Sequence, residues 1–165
     1  MRDTLPDPRD RAALRVVCVG NRWRSDDAVG LEVAARLRGA LPDGVDLVEH
    51  EGEPTALLAA WEDAEAAWVV DAVAAGAPPG TIHRLDASES PLPAEAFRTS
   101  THHVGLAETI ELGRALGRLP SRVVVYGVEG ASFAVGDGLT DAVAAAVGTV
   151  AEAVLEEVAA CTRRP

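Results

Sequence analysis

Carboxylate and imidazole side chains occur in this sequence at points where strands of a parallel sheet are predicted to end. Asp26 and Asp27 follow the apolar run Val16–Val19. Asp71 closes a later apolar run, and His102 precedes a helical pattern. Because ligands of open parallel sheets bind outside the carboxyl ends of the strands, we expect these groups to lie close together. Two carboxylates and an imidazole, with one coordination position left open, are typical of a site for a borderline divalent metal.

Each of these residues also has a purely structural interpretation. Neighbouring helix residues point about 100° apart, so only one of Asp26 and Asp27 can face a ligand. The other would cap the helix, a position for which Ser25 also offers an oxygen. Asp71 would alternatively cap the turn after its strand, and His102 would alternatively cap a helix or lie in a solvated loop. Residue types and spacing leave these alternatives open.

Two further polar residues fall at the same predicted edge of the sheet. Asn21 follows the first strand and Glu129 follows the fifth, and both are predicted to contact a bound substrate. The other three histidines, His50, His83 and His103, are predicted to be solvated, edge-strand or neighbouring residues that take no part in the site.

The elements that must position these residues alternate between strands and helices. Short apolar runs bounded by turn residues predict strands over residues 16–19, 45–48, 67–71, 81–85 and 123–126. Apolar residues at about every fourth position predict a first helix, capped near Ser25 or Asp26, whose apolar stripe is Val29, Val33, Leu37 and Leu41. The same spacing predicts helices over residues 55–61 and 104–116, and over a final stretch from Val143 to Val158. The alternation predicts an α/β fold of three layers, α/β/α, with about five strands in a mostly parallel, twisted sheet and helices on both faces.

The length of 165 residues suits a single domain with a sizeable core. Residues 1–13 are charged, contain two prolines and show no periodicity, so they predict a flexible N-terminal arm. Residues 14–165 are predicted to form one α/β domain.

Charge and cysteine content argue against several classes of protein. The 26 acidic and 15 basic residues give a formal net charge of −11, which disfavours a nucleic-acid or anionic-membrane partner. No apolar run approaches the roughly 20 residues that span a bilayer, and the charged N-terminus does not resemble a secretory signal. Cys18 and Cys161 have neither metal-binding nor redox spacing, which is typical of a reducing compartment. These features predict a cytoplasmic protein.

Common nucleotide-binding and hydrolytic motifs are missing from the sequence. The turn after the first strand, Gly20 followed by Asn-Arg-Trp, is not G-x-G-x-x-G, and a chain without Lys cannot hold a Walker A loop. G-x-S-x-G, H-E-x-x-H and C-x-x-C do not occur. A serine, thiol or conventional zinc hydrolase therefore has no support.

Six short motifs, spread over roughly residues 15 to 150, resemble those of the hydrogenase maturation endopeptidases in order and spacing. They are Val19-Gly-Asn21, Arg24-Ser-Asp-Asp-Ala-Val-Gly30, Val70-Asp-Ala72, Pro79-Gly-Thr81, His102-His-Val-Gly-Leu106 and Gly127-Val-Glu129. The resemblance implies a compact α/β protease that clips a C-terminal peptide from the large-subunit precursor of a [NiFe] hydrogenase. In that family cleavage follows nickel insertion, and the protease uses the precursor's nickel to recognise its substrate.

The resemblance also implies roles for individual residues. The family's three metal-contacting residues fall on Asp27, Asp71 and His102, which selects Asp27 over Asp26 and His102 over His103. The metal would be nickel presented by the precursor, with no tightly bound organic cofactor. A carboxylate or a metal-polarised water would attack the peptide bond, and which group acts as the base is left open.

Two other functions remain compatible with the sequence. One is a chaperone module that keeps the fold and holds the precursor without cutting it. The other is an unrelated metal-dependent hydrolase on the same scaffold, because a fold does not determine its chemistry.

Overall fold

The computed structural model describes residues 13–97 and 105–163, which form one five-stranded sheet flanked by four helices. The strands are β1 (Leu14–Val19), β2 (Val45–His50), β3 (Ala66–Val73), β4 (Ile82–Asp86) and β5 (Arg122–Glu129). The helices are α1 (Val29–Leu37), α2 (Pro54–Ala60), α3 (Leu106–Ala115) and α4 (Asp141–Thr162). Two short 3₁₀ helices cover Ser25–Ala28 and Ala94–Phe97.

The strand order is β2-β1-β3-β5-β4, and every pair is parallel except β4 with β5, which is antiparallel. The chain moves from β1 outward to β2 and then returns to the other side of β1 to form β3. The strand order therefore reverses between β1 and β3, and in sheets of this kind such a switch point opens a crevice at the carboxyl ends of the strands.

Helices cover both faces of the sheet, so the predicted three-layer α/β/α fold is confirmed. Val16, Val70 and Val124 face α1 and α4 in one hydrophobic core, while Val17 and Val69 face α2 and α3 in the other. The three central strands, β1, β3 and β5, are buried on both faces. This burial explains why their sequences are nearly continuous apolar runs.

Glu157 fastens the C-terminal half of α4 to the sheet. Its carboxylate accepts hydrogen bonds from Trp68 Nε1 (3.1 Å) and Tyr126 Oη (2.6 Å) and pairs with Arg84 and Arg122. Burial opposes ionisation, but hydrogen bonds from Arg84, Tyr126 and Trp68 outweigh it and lower the pKa of Glu157 to about 2. The carboxylate is therefore charged in the folded protein at neutral pH.

The predicted N-terminal arm, apart from Ala13, and His102 with His103 lie outside the described residues. Within the parts of the chain that the structure does describe, no helix is both long and apolar enough to cross a membrane.

Candidate active site

Asp27 and Asp71 line the same small cavity at the switch point between β1 and β3. Its volume is about 20 Å³, enough for a single water molecule or an ion of similar size. The remaining wall residues come from five segments: Val19, Gly20, Glu51, Gly52, Leu57, Phe97, Gly105 and Leu106. The structure thus brings together two of the three predicted metal-contacting residues.

Backbone contacts hold Asp27 against the end of β1. The Asn21 nitrogen donates to the Asp27 carbonyl oxygen (3.2 Å), and the Asp27 nitrogen donates to the Arg24 carbonyl (3.1 Å). The approach is so close that a Cβ on Gly20 would lie 2.4 Å from the Asp27 oxygen, and one on Gly30 would lie 2.1 Å from the Val19 oxygen. Both glycines are therefore required for the helix start to sit on the strand end.

Asp71 lies within β3, on the face that packs against α2 and α3. It is buried, and its Oδ1 accepts a hydrogen bond from the Ala72 nitrogen (2.8 Å). Burial raises the pKa of Asp71 well above its ordinary value, and the negative charge of Asp27 raises it further, against the smaller opposing effect of the Ala72 hydrogen bond. A carboxyl group of this kind, beside a second carboxylate in a cleft, is typical of a proton-transfer or cation-binding site.

Asp26 turns away from the cavity and fixes a distant loop. Its carboxylate accepts hydrogen bonds from the nitrogens of Ala131 (2.8 Å), Ser132 (3.0 Å) and Thr140 (2.7 Å), and from Thr140 Oγ1. Burial acts to raise the pKa of Asp26, but these hydrogen bonds outweigh it and the pKa is lowered. We call residues 21–26 and 131–140, which this carboxylate joins, the paired loops.

The prediction that Asp26 and Asp27 face different partners is confirmed, but the prediction that one of them, or Ser25, caps the helix is wrong. Neither the 3₁₀ helix nor α1 receives a side-chain cap at its N-terminus. Ser25 adopts a positive φ of 49°, and its hydroxyl donates to the Ala134 carbonyl. Tertiary hydrogen bonds to the second loop have replaced local capping.

His102 lies in the segment between Phe97 and Gly105 that is outside the described residues, so its predicted role stays a prediction. The residues on either side of that segment, Phe97 and Gly105, both line the cavity. In the described ranges 13–97 and 105–163, no three His, Cys, Asp or Glu side chains form a group that could hold a metal ion.

Asn21 and Glu129, predicted as substrate contacts, both make hydrogen bonds within the fold. Asn21 Oδ1 accepts from the Trp23 nitrogen (2.9 Å) and so shapes the turn after β1. The buried Glu129 accepts from the Gly76 nitrogen (2.8 Å), and its second oxygen lies 3.1 Å from His83 Nε2. Glu129 therefore connects the loop after β3 to the edge strand β4. Its contact in β4 is His83, which was predicted to take no part in the site.

Sequence reasoning missed most of the cavity wall. Glu51 and Gly52 follow β2, and Gly52 donates its backbone N–H to His50 Nδ1 (2.8 Å). Their position after a strand was a usable signal, because the carboxyl ends of parallel strands share one edge. Phe97 gave no such signal, since any apolar side chain of suitable size could have served there, whereas Leu106 lies in one of the six motifs.

Comparison with known proteins agrees with the motifs. A family model described as hydrogenase maturation protease matches residues 31–157. The hydrogenase 2 maturation protease of Escherichia coli is 30% identical over 151 residues, covering 90% of this chain and 89% of the relative. The hydrogenase expression/formation protein HupD of Rhodobacter capsulatus is 32% identical over 145 residues, covering 86% and 69%.

Solved structures extend the likeness to the fold. The hydrogenase maturating endopeptidase HybD of Escherichia coli superposes with a TM-score of 0.76 at 25% identity, covering 90% of this chain and 93% of the other. The solution structure of an endopeptidase from Escherichia coli gives a TM-score of 0.74 at 28% identity, covering 87% of this chain and 91% of the other. The chain belongs to the hydrogenase maturation proteases, and it is accordingly a peptide hydrolase.

Proposed function

We propose that this protease removes the C-terminal peptide of a [NiFe] hydrogenase large-subunit precursor after nickel insertion, and that it recognises the nickel through Asp27, Asp71 and His102. The observation that carries the proposal is the pairing of two carboxyl groups in one cavity of about 20 Å³. Membership of the maturation proteases supports a hydrogenase precursor as the substrate.

The electrostatics of the pair suit a cation that arrives with the substrate. Burial and the charge of Asp27 raise the pKa of Asp71, so without a cation the pair resists double ionisation. A divalent ion would favour the charged form of both groups and release the proton. Two carboxylates alone make a weak metal site, and thiolate ligands supplied by the precursor would complete the coordination.

Chain length supports His102 as the third contact. Only two residues separate His102 from Gly105, which lines the cavity. An extended chain spans at most about 3.6 Å per residue, so three residue steps from Gly105 reach no farther than about 11 Å. Neutral imidazole is a common ligand for nickel and similar metals.

The proposed reaction is hydrolysis of one peptide bond. Water adds to the scissile carbonyl carbon, the C–N bond breaks, and the leaving amine takes up a proton, which leaves a new carboxyl terminus and a released peptide. Nickel held by the precursor would supply Lewis-acid polarisation of the carbonyl or the water. The charge of Asp27 raises the pKa of Asp71, and which of the two carboxyl groups acts as the base is left open.

Asn21 and Glu129 contribute to substrate binding in this proposal through the segments that they hold. Asn21 fixes the turn that brings Asp27 to the cavity. Glu129 fixes the loop that follows β3, the strand in which Asp71 lies. Both segments lie at the edge of the sheet where the precursor would dock.

Co-expression with a nickel-loaded precursor tests the proposal, with the C-terminal mass of the precursor as the readout. We expect loss of one C-terminal peptide with the wild-type protease and an intact precursor with Asp27→Asn. An intact precursor that co-purifies with the wild type would indicate the chaperone function instead. Hydrolysis of small esters or amides on addition of metal, without precursor cleavage, would indicate an unrelated hydrolase.

A further inference from the structure

Two large apolar side chains are left in solvent on the paired loops. Trp23 is 62% exposed and Val135 is 89% exposed. They are neighbours, because the Gly136 nitrogen, one residue beyond Val135, donates to the Trp23 carbonyl oxygen (2.9 Å). Exposed single apolar residues are ordinary, but a Trp and a Val side by side on interlocked loops form a small apolar surface.

The loops that carry this surface are held in one conformation. The Ser25 nitrogen donates to the Gly136 carbonyl (3.0 Å), and the Asp26 nitrogen donates to the Ser132 carbonyl (3.0 Å). The Arg24 guanidinium donates twice to the Phe133 carbonyl, at 3.1 and 2.9 Å. A surface fixed in this way loses little conformational entropy when a partner covers it.

Charge is absent from the centre of the surface although cationic residues flank Trp23. The guanidinium of Arg24 is half-buried and directed inward to Phe133. Two charged residues near Trp23 and Val135, Arg22 and Asp137, are exposed. An apolar centre with a charged rim is the usual anatomy of a protein–protein interface, and Trp is enriched among the residues that dominate binding energy.

The apolar surface adjoins the candidate active site. Asp26 anchors the paired loops, and the next residue, Asp27, lines the cavity. Trp23 precedes Asp27 by four residues, so their Cα atoms lie no more than about 14 Å apart. A standard interface buries about 800 Å² per partner, equivalent to a disc of about 16 Å radius. A protein whose scissile bond lies at Asp27 would therefore cover Trp23 as well.

We propose that the paired loops are the docking surface for the folded body of the precursor, with Trp23 and Val135 as its apolar anchors. The inference rests on the proposed function, because it takes the occupant to be the protein that is cut. It adds that the affinity of the protease for the precursor comes from a surface outside the cavity. Docking on this surface and recognition of nickel in the cavity then contribute separately to the selection of a substrate. The matching patch on the precursor would be apolar and would lie beside the bound nickel.

Cleavage kinetics on nickel-loaded precursor test the inference, using Trp23→Ala and Val135→Ser. We expect Trp23→Ala to raise KM about tenfold or more, in the range of binding hot spots, and Val135→Ser to raise KM by a smaller factor. The value of kcat should stay within about twofold, because neither residue lines the cavity. Leu116→Ala is the matched control, since Leu116 is 56% exposed but follows the C-terminal end of α3, whereas the cavity is lined by residues at the N-terminal end of that helix.

Two outcomes would overturn the inference. One is an unchanged KM in both loop variants while the wild type cleaves normally, which would leave the proposed function intact. The other is a wild-type dimer in sedimentation that Trp23→Ala dissociates without a change in KM, which would assign the surface to a second copy of this chain. Failure of the wild type to cleave any loaded precursor would instead reject the proposed function. Both loop residues are exposed, so equal melting temperatures should confirm that the variants fold.

Discussion

The Asp26 Oδ1 atom lies 2.7 Å from the Thr140 nitrogen, while the carboxylate of its neighbour Asp27 lines a cavity shared with Asp71. Asp26 therefore holds the paired loops together, and Asp27 contributes to the candidate active site. The division predicts distinct phenotypes for two substitutions that differ by one position.

We expect Asp27→Asn to abolish processing with the fold retained, because the amide has nearly the same shape but no charge to offer a cation. Asp26→Asn should instead cost stability, since an amide nitrogen replaces one of the oxygens that accept hydrogen bonds from Ala131, Ser132 and Thr140. Loss of charge-assisted hydrogen bonds costs about 2 kcal/mol, which in a protein of this size lowers the melting temperature by roughly 4–8 °C. Thermal melts and precursor cleavage measure the two effects. Equal melting temperatures with equal loss of cleavage would contradict the division of roles.

Asp71→Asn is expected to stabilise the metal-free protein at neutral and alkaline pH while eliminating cleavage. The folded pKa of Asp71 is raised, so its contribution to stability is full below the ordinary carboxyl pKa of about 3.8 and is lost as pH rises through the folded pKa. Asn has no ionisation to suppress, and its oxygen can still accept from the Ala72 nitrogen. Denaturant unfolding from pH 4 to pH 8 should show an advantage for the variant that grows with pH. A variant less stable than wild type at pH 8 would contradict the raised pKa.

Glu157→Gln should destabilise the protein at neutral pH and lose that effect in acid. The folded pKa of Glu157 is about 2 against an ordinary 4.5, so its stabilisation is present above pH 4.5 and is lost as pH falls through the folded pKa. We expect a cost of about 3–4 kcal/mol at pH 7, since one pKa unit corresponds to about 1.4 kcal/mol. Glu156→Gln, at the exposed neighbouring position, is the control and should change little. Equal costs at pH 7 and pH 2.5 would show that packing rather than charge is responsible.

His102→Ala is expected to block processing, whereas His103→Ala should retain most of it. Adjacent side chains point in different directions, and the motif places His102 in the metal-contacting position. The extent of precursor shortening after a fixed reaction time measures both variants. The reverse pair of phenotypes would move the contact to His103, and normal cleavage by both would remove imidazole from the mechanism.

Strand and helix periodicities are local, so the sequence could place Asp26, Asp27 and Asp71 where one pattern ends. The resemblance to the family then selected Asp27 from the adjacent pair. The sequence did not carry the bonds of Asp26, whose partner Thr140 is 114 residues away. The helix predicted to reach Leu41 ends at Leu37, because Arg38 leaves the helical conformation and Gly39 adopts a positive φ of 73°. The strand predicted over residues 81–85 was confirmed as β4, but its antiparallel direction depends on pairing with β5, which lies about forty residues later.

The requirement for nickel in the precursor, rather than in the protease, is the most direct test of the account. Chelator-treated protease would be mixed with nickel-loaded precursor, with nickel-free precursor, and with nickel-free precursor plus protease pre-incubated with nickel, and the C-terminal mass of each precursor would be measured. We expect shortening only of the loaded precursor, because Asp27 and Asp71 in a cavity of about 20 Å³ complete a coordination sphere that the substrate has begun. Equal shortening of the nickel-free precursor, or rescue by nickel bound to the protease alone, would contradict recognition of the substrate's nickel.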